Sequence, residues 1–140
     1  MKRRFLILLF TLFLVSGCST YSSTYGVGKN YEVVKKRDTI IEVRPIDGQG
    51  DMIPAKVVEL GWDERYIVAT QIDLKRNTEQ HPDNLFEEPD FTSINYWILD
   101  STKRRKYGPF TLEQFEAERR KRSIQNIEIK HISNFPLRIN

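Results

Sequence analysis

The sequence predicts an α+β domain, an antiparallel sheet of about five or six strands with one helix of the C-terminal half packed on it, preceded by a signal peptide and flexible tether. Two observations predict the domain: apolar residues alternate with a period of two from Tyr31 onward, and a single well-specified helix start occurs at Thr111. A third observation, a short apolar segment after a basic start, predicts the leader.

The first eighteen residues have the layout of a secretory signal. Residues 2–4 are basic, Phe5–Val15 is an apolar run broken only by Thr11, and small residues then precede Cys18. The run is too short for the roughly 20 apolar residues that a bilayer-crossing helix needs. The segment therefore predicts export rather than a membrane-spanning anchor.

The stretch Val15-Ser16-Gly17-Cys18 resembles the lipobox of bacterial lipoproteins. The resemblance implies cleavage after Gly17 and acylation of Cys18, which is the only cysteine in the chain. Membrane lipid is then a partner through Cys18, and the protein is extracytoplasmic, on the outer membrane if the cell has two membranes. The alternative is an ordinary cleavable signal in which Cys18 is incidental.

Cleavage changes the charge balance. The chain has 22 Lys and Arg residues against 19 Asp and Glu residues. Removal of residues 2–4 leaves 19 basic residues, so the mature chain is formally neutral. The apparent basicity belongs to the leader, and no nucleic-acid partner is expected. Oligomeric state stays open.

The mature chain divides into a tether and one domain. Residues 18–30 are rich in serine, threonine and glycine without apolar periodicity, which predicts a flexible tether after the lipidated cysteine. Residues 31–140 are predicted to form a single globular domain. Its first strands are expected at Tyr31–Lys36 and Thr39–Arg44, followed by turn signals in Ile46–Pro54.

The centre of the chain contains the most strand-like segments. Ala55–Trp62 and Arg65–Ile72 are predicted to pair across Asp63-Glu64. Leu74–Ser93 is polar and contains two prolines, which predicts a long loop. Ile94–Asp100 returns to β-branched and aromatic residues, and Ser101–Lys106 is predicted as a charged connection.

The helix begins at Thr111. Thr111 as N-cap and Gln114 three residues later make a capping box. Leu112 and Phe115 are its main apolar residues, so we expect the helix to dock by its first turns. A last strand is predicted at residues 127–129.

The sequence carries no recognisable catalytic constellation. His81 and His131 are the two histidines, and neither lies in a motif that would orient it beside a nucleophile. Lipidation of Cys18 would remove the only thiol. We therefore expect no enzyme activity, no cofactor and no metal.

Acidic residues cluster in the predicted loop. A solvated acidic loop is the favoured interpretation, because the spacing matches no calcium-binding pattern and a proline interrupts it. The alternative is a small envelope hydrolase in which the carboxylates of Glu87, Glu88 and Asp90 are the catalytic groups. The cluster comprises Glu79, Asp83, Glu87, Glu88 and Asp90.

Two basic quartets and a group of aromatic residues are further candidates for functional surfaces. Residues 103–106 and 119–122 are predicted to provide solubility, with contact to anionic lipid or an acidic partner as the alternative. The aromatic residues are expected mainly in the core, although an exposed cluster would indicate a binding surface. They are Trp62, Tyr66, Tyr96, Trp97, Tyr107 and Phe110.

Three segments together resemble a family of short bacterial lipoproteins known only as a domain of unknown function. They are Lys56–Gln71, Tyr96–Asp100 and Tyr107–Phe110 with Glu113 and Phe115. The resemblance spans roughly residues 31–124 and implies an extracytoplasmic domain with no activity to transfer. The expected role is a non-catalytic binding or envelope-interaction module, and an inhibitor or immunity lipoprotein is a further alternative.

Overall fold

The computed structural model describes residues 22–76 and 87–139. In these ranges the chain forms nine strands, one α-helix (α1) and one short 3-10 helix. The strands are β1 Ser23–Val27, β2 Tyr31–Lys35, β3 Ile41–Pro45, β4 Val57–Trp62, β5 Tyr66–Arg76, β6 Glu87–Asp100, β7 Arg105–Phe110, β8 Lys130–His131 and β9 Arg138–Ile139. The α-helix is α1 Leu112–Lys121, and the 3-10 helix is Ile132–Asn134.

The strands form two antiparallel sheets. One has the order β3-β2-β1-β9 and the other the order β7-β6-β5-β4-β8. The α+β class, the antiparallel pairing and the single helix in the C-terminal half are confirmed for the described residues. The strands form two sheets rather than the single sheet expected, because the inward faces of both sheets are apolar and bury one another.

The core has two compartments separated by the larger sheet. Tyr31 and Val43 of the smaller sheet pack with Ile67 and Leu99 of the larger one. On the opposite face of the larger sheet, Val68 and its neighbours pack against α1. Because successive strand residues point to opposite faces, a strand covered on both sides reads as a continuous apolar run. The start of β5 is an apolar run because both of its faces are covered, one by the smaller sheet and the other by α1.

The tether prediction is wrong for residues 23–27. This segment is β1, which pairs with β2 on one side and with β9 on the other. Ser23 and Val27 are buried, and Gly28 to Asn30 form the turn that leads into β2. Tertiary pairing creates this strand, since its short sequence has no apolar period of its own. Residues 18–21 lie outside the described residues.

The long loop predicted at Leu74–Ser93 is also corrected. β5 continues to Arg76 and β6 begins at Glu87, so that Asp73–Arg76 pairs with Glu87–Asp90 in a two-stranded arm. At its root the register shifts between Ile72 and Asp73, so residues 91–93 are passed over in the register of the two strands. Residues 77–86 lie outside the described residues.

The helix start is confirmed in detail. The Thr111 hydroxyl accepts the backbone N–H of Gln114, and the Gln114 side chain accepts the N–H of Thr111. Phe115 is buried as expected, but Leu112 is 55% exposed, so the helix docks through Phe115 and Arg119 instead. The strand predicted at residues 127–129 is wrong, because Ile127 packs beneath the helix and the pairing begins at Lys130.

Candidate functional site

A groove of about 820 Å³ opens at one end of the molecule. Three hairpin turns meet there: the β1–β2, β4–β5 and β6–β7 turns. The volume falls within the range of about 300–1,000 Å³ that is usual for small-ligand sites. Its lining residues are Gly28, Lys29, Trp62, Asp63, Glu64, Arg65 and Thr102.

The β4–β5 turn is held by an aspartate. Oδ1 of Asp63 accepts the backbone N–H of Arg65 at 2.8 Å and that of Tyr66 at 2.6 Å. This closure replaces the Asn-Gly pair that a two-residue hairpin commonly uses. The opposing β1–β2 turn contains Gly28 at φ +61°, a conformation that glycine adopts without strain.

Arg65 is fixed by a buried carboxylate. Oδ2 of Asp100 accepts hydrogen bonds from Nε and Nη2 of Arg65 at 3.1 and 2.8 Å. The Asp100 side chain is 1% exposed, whereas that of Arg65 is 48% exposed. Burial alone would raise the pKa of Asp100, but hydrogen bonds from Arg65 and from backbone N–H groups outweigh it and lower this pKa.

The same carboxylate also fixes the third turn of the groove. Oδ1 of Asp100 accepts the backbone N–H of Thr102 and of Lys103, both at 3.0 Å. Asp100 thus connects the β4–β5 turn to the β6–β7 turn through one buried group. The guanidinium of Arg65 also lies 4.9 Å from the ring centroid of Tyr66, which restricts it further. The Arg65 side chain is therefore positioned before any ligand arrives.

Trp62 forms the aromatic wall of the groove. It packs against Tyr25 and Phe135 with ring centroids 5.9 and 5.4 Å away. It also borders a smaller concavity of about 190 Å³. Trp62 is half-buried, whereas Trp97 is 7% exposed and its indole N–H donates to Gln71 in the core. Trp97 therefore belongs to the core, as expected for most of the aromatic residues, whereas Trp62 borders a surface groove.

Most residues predicted to act in the leader or in catalysis fall where the structure gives no description. Cys18, Gly17 and His81 lie outside the described residues, as do Glu79 and Asp83 of the acidic cluster. His131 is exposed, and its Nδ1 lies 2.8 Å from the Ser133 hydroxyl, where it starts the 3-10 helix. Within the described ranges, no group of three His, Cys, Asp or Glu residues is placed to hold a metal ion.

The remaining carboxylates of the hydrolase alternative lie on the arm. Glu87 and Glu88 are exposed and pair through their backbones with Arg76 and Lys75. Hydrogen bonds from the Thr92 side chain and backbone lower the pKa of Asp90. A general acid needs the opposite shift, toward neutrality. The pKa of Asp90 is therefore shifted away from the value that suits a general acid.

Some members of each basic quartet make contacts within the molecule. Nη1 of Arg104 bonds both oxygens of Asp47, and Nζ of Lys106 lies 4.7 Å from the ring centroid of Trp97. In the helical quartet, Nη2 of Arg119 donates to the backbone carbonyls of Gln125 and Ile127. These cations thus fix loops of the same molecule.

A buried polar network at the root of the arm was not predicted. Nε2 of Gln71 donates to the Ala55 carbonyl at 2.9 Å, while its Oε1 accepts from Asn95 and Trp97. Asp73 accepts from Ser93, Gln71 and Asn95, and these hydrogen bonds lower its pKa. The available signal was a glutamine between the apolar residues Ala69 and Ile72 of β5, since buried polar groups require partners.

The class of protein follows from this architecture: an α+β domain of two antiparallel sheets whose hairpin turns enclose a groove. The chain belongs to the family described as protein of unknown function (DUF3997), whose model matches residues 28–133. This confirms the resemblance to a domain of unknown function. No curated protein and no solved structure matches the chain. In the described ranges, no helix is long and apolar enough to cross a bilayer.

Proposed function

We propose that this protein is an extracytoplasmic lipoprotein, anchored through acylated Cys18, that binds an envelope component in the groove beside Trp62. The first eighteen residues support the anchor, because a basic start, a short apolar run and a cysteine after small residues occur in that order. With two or three acyl chains, anchoring at about 0.8 kcal/mol per buried CH₂ is durable.

The observation that carries the proposal is the position of the groove relative to the N-terminal end of the domain. The chain from Cys18 enters β1 at Ser23, and the opposite end of β1 leads into the turn that lines the groove. Cys18 precedes Ser23 by only five residues, which span at most about 17 Å. An anchored molecule would therefore be held near the bilayer with its groove directed away from the surface.

A binding role suits the chemistry of the groove better than catalysis. One oxygen of Asp63 is engaged in closing a turn, and the Arg65 guanidinium is engaged with Asp100. Such groups are restrained by their partners, which favours recognition because little side-chain freedom is lost on binding. Tryptophan and arginine are also the residue types that most often dominate binding energy in interfaces.

The anchor is tested by the variant Cys18→Ser in the native host. We expect the parent protein to be recovered with membranes, with an intact mass that corresponds to the chain from Cys18 plus acyl groups. The variant should carry no acyl groups on residue 18. A parent protein that keeps Met1 and stays soluble would contradict the proposal.

The groove is tested by replacing Glu64, an exposed residue of its lining, with the photo-cross-linking residue p-benzoylphenylalanine. The matched control carries the same residue at Arg37, which is exposed in the turn next to Lys35, the residue that pairs with Ser23. We expect a discrete envelope adduct from position 64 that is absent from position 37. Equal adducts, or none from position 64, would contradict the assignment. An adduct with one tight enzyme partner would favour the inhibitor or immunity alternative.

A further inference from the structure

We infer that the groove beside Trp62 binds a neutral saccharide chain. The inference rests on the proposed function, since it names the ligand class of the same site. It starts from the charges of the lining: Lys29 and Arg65 are opposed by Asp63 and Glu64, so the groove is formally neutral. A formally neutral lining gives no general attraction to a polyanion or a polycation, because long-range steering needs an excess of one sign.

The lining nevertheless offers both donors and acceptors. Arg65 uses one N–H each of Nε and Nη2 for Asp100, so the two N–H groups of Nη1 and the second of Nη2 are left by the described contacts for a ligand. Lys29 and Glu64 are exposed on either side of the groove, and Thr102 contributes a hydroxyl. A sugar hydroxyl both donates and accepts, so a ligand with many hydroxyls can satisfy cations and carboxylates at once.

Trp62 supplies the third property that a sugar ring requires. The face of an aromatic ring carries partial negative charge and attracts polarised C–H groups, which a pyranose ring presents on one side. The indole is held in place by Tyr25 and Phe135, so it does not have to be ordered when the ligand binds. Aromatic wall, donors and acceptors thus occur together in one groove of about 820 Å³.

The test uses two-dimensional NMR of the chain from Cys18 onward carrying Cys18→Ser. The protein has two tryptophans, so it gives two indole N–H signals, which the variant Trp62→Phe assigns. The probes are maltohexaose and fully N-acetylated chitohexaose as neutral oligosaccharides, oligogalacturonate as an anionic one, and a Gly-Ser peptide. We expect a neutral oligosaccharide to shift the Trp62 signal, while the Trp97 signal stays fixed by its bond to Gln71.

Variants connect the shift to the groove. Replacing the charged donor of Lys29 by a neutral amide in Lys29→Gln should weaken binding about three- to tenfold. The matched control Arg37→Gln removes the same charge in the turn beyond β2 and should bind like the parent. Affinity should change little between 50 and 500 mM salt, because neutral ligands are not screened.

Four results would overturn the saccharide inference. They are no Trp62 shift with millimolar neutral oligosaccharide, a shift only with oligogalacturonate and with steep salt dependence, an equal shift with the peptide, and an equal loss of affinity in the Lys29 and Arg37 variants. Each leaves the proposed anchor and the cross-linking result from Glu64 untouched. Failure of the saccharide inference is therefore distinguishable from failure of the proposed function.

Discussion

Replacing Asp100 with asparagine should destabilise the protein more than any change at an exposed ion pair. The carboxylate accepts four hydrogen bonds, two from Arg65 and one each from the backbone of Thr102 and Lys103. Asparagine keeps an acceptor for the backbone donors but removes the negative charge that faces Arg65. Asp100 therefore tests whether one buried group holds two of the three turns of the groove.

The magnitude follows from the charged hydrogen bonds that the substitution removes. Hydrogen bonds to charged groups contribute about 1.5–3 kcal/mol each, and breaking a buried ion pair by removing one partner costs about 3–5 kcal/mol. Because the Arg65 side chain is 48% exposed, water compensates it in part for the missing carboxylate. We therefore expect Asp100→Asn to lower the free energy of unfolding by about 2 kcal/mol at pH 7.

The pH dependence of this destabilisation has a definite sign. The pKa of Asp100 is lowered in the folded protein, so the stability it contributes is present above the unfolded pKa of about 3.9. That contribution disappears as the pH falls through the folded pKa. The difference in stability between parent and Asp100→Asn should therefore be constant from pH 5 to 8 and shrink below about pH 4.

Urea unfolding of the chain from Cys18 onward, with Cys18→Ser in parent and variant, measures both effects. With a slope of about 1–3 kcal/mol per M, the expected destabilisation moves the midpoint by about 1 M. The matched control is Asp38→Asn, which breaks an exposed ion pair with Lys35 and should leave the midpoint unchanged. A midpoint within about 0.2 M of the parent for Asp100→Asn, or a difference in stability that is as large at pH 3 as at pH 7, would refute the reasoning.

Three further substitutions test other parts of the fold. Gly61→Ala would place a Cβ 2.3 Å from the backbone oxygen of Glu128, so it should lower the free energy of unfolding by about 1–3 kcal/mol, measured by thermal unfolding. Gly26→Ala is the control, because open space surrounds Gly26 and the protein should keep its stability. Thr111→Ala removes the N-cap acceptor and should lower stability by about 1 kcal/mol in urea unfolding, and unchanged stability would contradict the capping role. Gln71→Met leaves buried donors and acceptors unsatisfied and should cost about 2–3 kcal/mol by the same measurement, so a neutral result would show that the network contributes no net stability.

The helix and the central strands were predictable because their signals are local. The capping box at Thr111 involves residues three apart, and the strand-forming residues of β4 and β5 occupy contiguous segments. β1 and the arm were not predictable, because their strand conformation depends on partners elsewhere in the chain. Leu112 shows the same limit, since its exposure depends on how the helix is rotated against the sheet.

The candidate groove was even less predictable from the sequence than these elements. The sequence indicates Trp62 as an aromatic residue of the sheet, but it does not show that the hairpin turn beside Trp62 meets two others. Lys29 lies in the segment predicted as a tether, and the sequence assigns Arg65 only to a strand. Asp100 lies 35 residues from Arg65, so no local pattern connects them.

The sequence by itself determined the α+β class and the capped helix, because each depends on short-range periodicity or residue order. Export by a leader stays a prediction. The tertiary structure decided that the strands divide into two sheets, that β1 joins the domain, and that three turns enclose a groove. These features arise from long-range pairing and burial, which are properties of the assembled chain rather than of any segment.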